Sequence, residues 1–460
     1  MMRRPALLCL GLLAAALAHA QESQLGAEFR KEGGALQNDC SKFNFSSLGS
    51  CAYDLFTEAP LHIAAGSLAP QNGFGFGPAF VAHKTPNETW RLSWDVDAMA
   101  TPGGDWRAGA YMTAVWARKK KIVVASGTAP KSNLAVSEYP VFHAYAQGIS
   151  LNTLDYFGEG PNTSDTARSF FGMTQTIVGA NAVFPVSGKL NFAFFGEANG
   201  RFVNLRPALG QSSPSIEQIY SPVTAAGLNT QPGFAQFGEG VRVRPQFAGG
   251  HVRLNYQASF QEYVAGDSQF SFERLTLDLQ HEFPLYSKTR SLLPQDFNGP
   301  DDCSVDSAVH TCPSVSRNLE GSINLRFLMN DTFVPSGHVV PFYFQPTLGG
   351  SDINGNMWLP SYQDYRFRAP NNILIRASFE HSIYGPLGVT AMIDEGKVAL
   401  TRGDNDFSHL LHSYAAGLTL RAGGFPMVYL MFAWGGHEGM HTIANMNTSL
   451  LGGAARPSLY

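Results

Sequence analysis

The chain is 460 residues long, 44% apolar, 12% aromatic and only 15% charged, with 47 glycines and a formal net charge of −4. So many rings with so little net charge exclude intrinsic disorder, and the near-neutral balance excludes a protein that holds nucleic acid through a basic face. What remains is a folded chain with too few charged residues for a typical soluble domain.

At the start, Arg3 and Arg4 precede an apolar stretch from Ala6 to Ala18, and Ala18-His19-Ala20 has the small-x-small form of a cleavage site. Residues 1–20 therefore read as a secretory signal peptide rather than a membrane anchor. Cys9 lies inside that peptide and leaves with it. Four cysteines remain, in two local pairs, Cys40 with Cys51 and Cys303 with Cys312. In an exported protein such pairs read as disulfides. A four-cysteine zinc site is the alternative, but its ligands come as tighter C-x₂₋₄-C pairs. Residues 21–59 are polar and irregular, and read as a short periplasmic segment stapled by the first pair. No later apolar run approaches the roughly 18 residues of a membrane helix, so the chain is either soluble or a β-barrel.

From residue 60 the text alternates. Trp90, Leu92, Trp94 and Val96 interleave with Arg91, Ser93, Asp95 and Asp97; Ile323, Leu325 and Phe327 interleave with Ser322, Asn324 and Arg326; Ile373, Ile375, Ala377 and Phe379 interleave with Leu374, Arg376, Ser378 and Glu380. Period two gives a strand one apolar and one polar face. The windows fall at 60–70, 74–83, 89–99, 106–118, 140–152, 166–183, 188–203, 237–248, 250–262, 268–285, 318–330, 367–381, 388–398, 411–421, 426–434 and 441–450. A soluble sandwich produces the same alternation. The heavily charged and amidic polar face, and nearly 400 residues without a helical segment, favour a closed transmembrane antiparallel β-barrel of about sixteen strands over 60–451, with a tail at 452–460. Trp90, Trp106, Trp116, Tyr263 and Trp434 are candidates for its aromatic girdles.

The connections follow from turn chemistry. Phe184-Pro185-Val186-Ser187-Gly188 and Gly249-Gly250 read as short periplasmic turns, and 204–236 as an extracellular segment. Segment 286–317 reads as an insertion held by Cys303–Cys312. The run Arg118-Lys119-Lys120-Lys121 reads as a cap at headgroup level.

In the C-terminal third, Val340-Pro341-Phe342-Tyr343, Leu348-Gly349-Gly350-Ser351 and Tyr362-Gln363-Asp364-Tyr365-Arg366-Phe367-Arg368 resemble the bacterial surface antigen family, the outer-membrane barrels related to BamA and TamA. Tyr384-Gly385-Pro386-Leu387-Gly388 and Ile393-Asp394-Glu395-Gly396-Lys397-Val398 extend the match. The resemblance is specific over about 338–434 and looser at 72–77 and 156–160. It implies a sixteen-stranded barrel in the outer membrane of a Gram-negative-type bacterium, with a long loop, here about 331–366, folded back into the lumen. It also implies that an Arg-Gly-aromatic tip on that loop binds acidic residues of the inner wall, which correspond to Glu380 and Asp394.

Two departures stand out. Pro360 and Ser361 occupy the places of the family's Arg and Gly, only Tyr362 of the tip survives, and extra residues from Asp352 to Trp358 precede it. Either Arg366 or Arg368 substitutes for the missing guanidinium at Glu380 or Asp394, or both sit at the polar end of a strand. The roughly forty residues before the barrel are also too few for the family's POTRA domains, so substrate capture falls to a separate periplasmic protein partner.

No catalytic signature stands in a suitable context, neither a G-x-S-x-G elbow, an H-E-x-x-H pair nor a phosphate-binding glycine run. No enzymatic activity, cofactor or metal is expected. His409, His412, His437 and His441, with Asp404, Asp406 and Glu438, are either a loop metal site or solvated loop polars. The weakly apolar last strand reads as an openable seam or as an ordinary wet one, and Tyr460 as an aromatic assembly signal. The expected function is outer-membrane assembly or passage of a protein or lipid substrate, by a monomer in contact with outer-membrane lipid. A diffusion channel and a surface-exposed structural protein are the alternatives.

Overall fold

The computed structural model describes residues 61–87, 89–116, 139–187, 190–208, 214–292, 315–384, 387–422, 425–446 and 457–460. The signal peptide, the 21–59 segment, all five cysteines with both expected disulfides, and the 118–121 basic run lie outside them.

The first strands are β1 (Leu61–Ser67), β2 (Phe74–Asn87), β3 (Trp90–Ala100), β4 (Trp106–Trp116), β5 (Val141–Tyr156), β6 (Ser169–Ser187) and β7 (Phe192–Pro207). They continue with β8 (Phe234–Val243), the short β9 (Gln246–Phe247), β10 (Val252–Ala265), β11 (Phe272–Leu292) and β12 (Val315–Phe333). A small hairpin, β13 (Thr347–Leu348) with β14 (Phe367–Arg368), precedes β15 (Asn371–Tyr384), β16 (Leu387–Ala399), β17 (Leu411–Ala422), β18 (Phe425–Trp434) and β19 (His441–Met446). Without β9, β13 and β14, sixteen strands remain, one in each expected window.

All but β13 and β14 belong to one 17-stranded sheet. Each long strand pairs antiparallel with the next in sequence, from β1 with β2 through β8 with β10 to β18 with β19. The boundaries shift where turn residues mislead. Phe184 to Ser187 stay in β6, paired with β7, so the tight turn lies beyond them. The Gly249-Gly250 turn is present, with φ of 68° and 94°.

The alternation sorts the side chains in the reverse of a water-soluble sandwich. Phe76, Val178, Phe194, Phe202, Phe237, Leu325, Ile393, Leu418 and Phe432 point outward, from 42% exposed at Leu325 to 61% at Phe76. Asp95, Asp97, Arg107, Gln147, Gln175, Asn199, Arg201, Gln236, Arg274, Asp394 and Ser413 point inward, and none is more than 8% exposed. An apolar band of this extent is unstable against water and suits hydrocarbon, where a sheet satisfies its backbone polar groups strand to strand. Inward charges are met by partners, as burial requires: Arg107 pairs with Asp97 at 3.2 Å and Arg326 with Asp278 at 2.8 Å, while Arg201 and Arg274 donate to the Gln236 side-chain oxygen and the Phe344 carbonyl.

The β12–β15 connection, residues 334–370, packs between distant parts of the sheet's inner face. Phe342 meets Tyr156 of β5 and Phe171 of β6 at ring-centroid distances of 5.0 and 5.1 Å. Phe344 meets Phe234 of β8 at 4.8 Å and Tyr263 of β10 at 5.6 Å. The Val340-Pro341-Phe342-Tyr343 motif is thus an aromatic anchor, each buried ring contributing about 1.5–3 kcal/mol by removal from water. Residues 357–362 of the same connection meet β15, β16 and β17. One connection therefore touches both halves of the sheet.

Candidate functional site

The centre of interest is the turn of the 334–370 connection and what it grips. Gly349 and Gly350 adopt φ of 96° and 56°, and a Cβ on either would lie 2.5 Å from Arg366 Cβ or Asp364 Oδ1 respectively. Glycine is therefore required for the two arms of the connection to lie together. Across them, the Trp358 N–H donates to the Gly350 carbonyl at 2.8 Å and the Ser351 N–H donates to Asp364 Oδ1 at 2.7 Å. Thr347 and Leu348 pair with Arg368 and Phe367.

At the tip, Leu359 holds a left-handed φ of 48°, a conformation that a side-chain-bearing residue keeps only when its surroundings enforce it. Here the enforcement is visible. The Leu359 N–H donates to Asp394 Oδ2 at 2.9 Å. Asp394, wholly buried on β16, also accepts both prongs of Arg376 from β15, at 2.7 and 2.6 Å. The same guanidinium donates to the Met357 carbonyl at 2.6 Å. It also lies over the Trp358 ring at 5.0 Å, with Arg326 over that ring at 4.8 Å. Ser361 completes the grip: its N–H donates to Ser413 Oγ of β17 at 2.8 Å, and its Oγ accepts the Gly436 N–H at 3.0 Å.

The expected substitution of Arg366 or Arg368 for the missing tip arginine is corrected by this geometry. Arg366 pairs with Glu438 and donates to Thr163 Oγ1 and O at 2.7 and 2.6 Å. Arg368 donates to the Phe342 carbonyl at 2.7 Å. The guanidinium on Asp394 comes from the wall itself, and the tip supplies a backbone N–H and a carbonyl. Physically, a neutral tip needs no charge of its own once a neighbouring strand neutralises the carboxylate. Glu380 lines the large cavity below the tip rather than the clamp. Tyr362 packs edge-on against His437, centroids 5.2 Å apart. Asp364 caps the Ser351 amide.

The C-terminal histidines and carboxylates are dispersed. Glu438 serves Arg366, Asp406 binds Lys397, Asp404 accepts the Thr401 hydroxyl while its N–H is capped by Thr401 Oγ1, and His412 packs on Tyr414. Among the described residues no three metal-ligating side chains come together. Tyr460, read above as an aromatic assembly signal, is partly buried in the folded protein against the interior cluster, its hydroxyl donating to Asp352.

Burial pushes the carboxyls of Glu159, Asp352 and Asp364 up from their ordinary values, against the opposing pull of their hydrogen bonds. These groups bind protons more tightly with the connection docked than with it loose. Docking therefore weakens as pH rises above the ordinary carboxylate range through the raised values, and strengthens on acidification. Limited proteolysis within 350–366 is expected to run slower at pH 5 than at pH 8, after correction for protease activity on an unstructured peptide. Equal rates would contradict this.

Beneath the tip lies a cavity of about 1420 Å³, lined by residues of β1, β4, β15, β16 and β19 among others, with Arg107, Arg376 and Glu380 on its wall. Strands from both ends of the sheet thus face one space.

No known protein family's profile matches the sequence, and no characterised protein matches it. In structure the chain is similar to solved structures of BamA and CdiB. BamA from Haemophilus ducreyi lacking POTRA domains 1–3 aligns at 9% identity and a TM-score of 0.44, over 90% of this chain and 80% of that one. CdiB from Acinetobacter baumannii aligns at 10% identity and 0.42, over 83% of this chain and 57% of that one. CdiB from Escherichia coli aligns at 12% and 0.44, over 82% and 58%. The chain thus spans less than three fifths of the two CdiB structures.

Proposed function

We propose that this protein is a closed β-barrel in the outer membrane, of the bacterial surface antigen type, whose lumen is filled at rest by the 334–370 connection. Its role is outer-membrane assembly or translocation of a protein or lipid substrate, without enzymatic chemistry, together with a periplasmic protein partner. The observation that carries this reading is the clamp of Leu359 and Met357 on the Arg376–Asp394 pair. A buried, hydrogen-bonded ion pair gripping a segment across the interior holds a conduit shut. The outward apolar band supports the membrane setting, and the motif set over 338–434 supports the family.

The second reading, a diffusion channel, draws on the large cavity with charged walls. Planar bilayers separate the two. The assembly or translocation reading expects a silent or flickering conductance, and depletion in the source bacterium is expected to alter outer-membrane protein or lipid content. A large steady pore with unchanged outer-membrane content would instead establish the channel.

A further inference from the structure

Pro457–Tyr460 lies against the interior surface of the 334–370 connection, and its contacts are those of a bound peptide. Asn354 meets it with both ends of its amide: Oδ1 accepts the Leu459 N–H at 2.8 Å and Nδ2 donates to Ser458 Oγ at 3.3 Å. Arg201, buried on β7, donates to the Ser458 carbonyl at 2.8 Å. The Tyr460 hydroxyl donates to Asp352, which also accepts Trp358 Nε1 at 3.1 Å and the N–H groups of Asn354 and Asn356 at 2.9 and 2.8 Å. Leu459 is buried within the interior aromatic cluster. The Tyr460 ring shares a residual void of only about 10 Å³ with Ile353, Tyr365 and Arg368.

Two features mark this as recognition rather than incidental packing. The backbone of the segment is read by polar side chains from two separate elements, Asn354 of the connection and Arg201 of β7, which holds its main chain whatever its side chains. Its side chains are then read by two adjoining pockets, one aliphatic and one closed by a phenol acceptor, which fixes a pattern. Backbone capture plus side-chain pockets is the general logic of peptide sites. Pro457 and Leu459 also line the large cavity, so the site is reached from the space that a passing chain would occupy.

We propose that this is a peptide-binding site for a short polar–aliphatic–aromatic segment of an incoming polypeptide, occupied in the resting protein by Ser458–Tyr460 in cis. The proposal rests on the functional reading above for the source of the incoming chain, and on the contacts alone for the site. Displacing the cis segment removes a bond from Asp352, and so couples occupancy of the site to the turn that carries Trp358 and the clamp.

The test uses the full detergent-solubilised chain, the same chain lacking residues 457–460, and a full-length Leu459→Asp variant, each shown to be folded by heat-modifiable migration. The probe is a dye-labelled synthetic peptide with the sequence of residues 455–460, followed by fluorescence anisotropy. A tethered competitor acts at millimolar effective concentration, so both altered chains are expected to bind the probe about a hundredfold more tightly than the full chain. Asn354→Ala in the shortened chain is expected to lose that gain, and a probe with aspartate in place of its leucine is expected not to bind. Folded altered chains that bind no probe, or a full chain that binds it equally well, would overturn the proposal. Absence of any effect on outer-membrane content would count against the functional reading while leaving this binding result intact, so the two failures are distinguishable.

Discussion

Replacing Arg376 by alanine is expected to destabilise the docked 334–370 connection by about 3–5 kcal/mol, the usual effect of stranding a buried carboxylate. Asp394 is fully buried, and its two acceptor oxygens are served by Arg376 and the Leu359 N–H. Without the guanidinium, the buried carboxylate loses its counter-charge, and the Met357 carbonyl loses its donor as well. The measurement is proteolysis of 350–366 together with conductance in planar bilayers. Cleavage is expected to accelerate by a factor of a few hundred or more, since each 1.4 kcal/mol is about tenfold, and the quiet conductance is expected to become a large open one. Arg376→Lys is expected to recover less than half of the loss, because an ammonium cannot reproduce the two-pronged contact and the stacking on Trp358 together. Arg376→Met with Asp394→Leu is expected to recover most of the stability, since an apolar pair of similar volume carries no desolvation cost. An Arg376→Ala protein indistinguishable from wild type in both assays would remove the clamp from the functional argument.

How this clamp escaped sequence reasoning is instructive. All sixteen strands were legible because the period-two alternation repeats wherever an outward apolar side chain needs a polar partner inside. Inward polar residues such as Arg376, Ser378 and Glu380 were legible for the same reason. The connection and the carboxylate that the resemblance singles out, 334–370 and Asp394, do meet, through the Leu359 N–H. The cation is on the wall strand β15 rather than on the loop where the resemblance places it. Yet a signal was present. Strands β15 and β16 pair Tyr384 with Leu387, and a one-residue irregularity then puts Ser382 opposite Gly388. Counting back along the hairpin sets Arg376 directly opposite Asp394, and opposite charges so placed stabilise a sheet. The irregularity is the obstacle, since a slip of one residue turns every side chain to the other face. The cis occupancy of Tyr460 had no such signal. No local pattern reports which interior pocket a four-residue segment enters.

The second large effect is expected at the rim formed by Arg366 and Glu438. Both are nearly inaccessible, with 2% and 3% of their side chains exposed, and together they join three connections. Arg366 belongs to the 334–370 connection and reaches Thr163 in the β5–β6 connection. Glu438 belongs to the β18–β19 connection and also accepts the Gln363 N–H at 3.2 Å. The guanidinium is held between the rings of Phe157 and Phe367, at 5.0 and 4.5 Å. Arg366→Ala and Glu438→Ala are each expected to cost about 3–5 kcal/mol, because either leaves a buried charge unpaired. Their sum is expected to exceed the effect of the double variant by about 2–3 kcal/mol, as for residues sharing one network. The charge-reversed pair, Arg366→Glu with Glu438→Arg, is expected not to rescue, since a carboxylate at 366 neither donates to Thr163 nor stacks between the two rings. The signature that separates this rim from the Arg376 clamp is the cleavage pattern. Rim variants are expected to expose 157–168 and 435–440 to protease together with 360–366, whereas Arg376→Ala is expected to expose 350–366 and spare the other two. Cleavage confined to a single connection in Arg366→Ala would show that the three are held independently, and that the pair serves only its own segment.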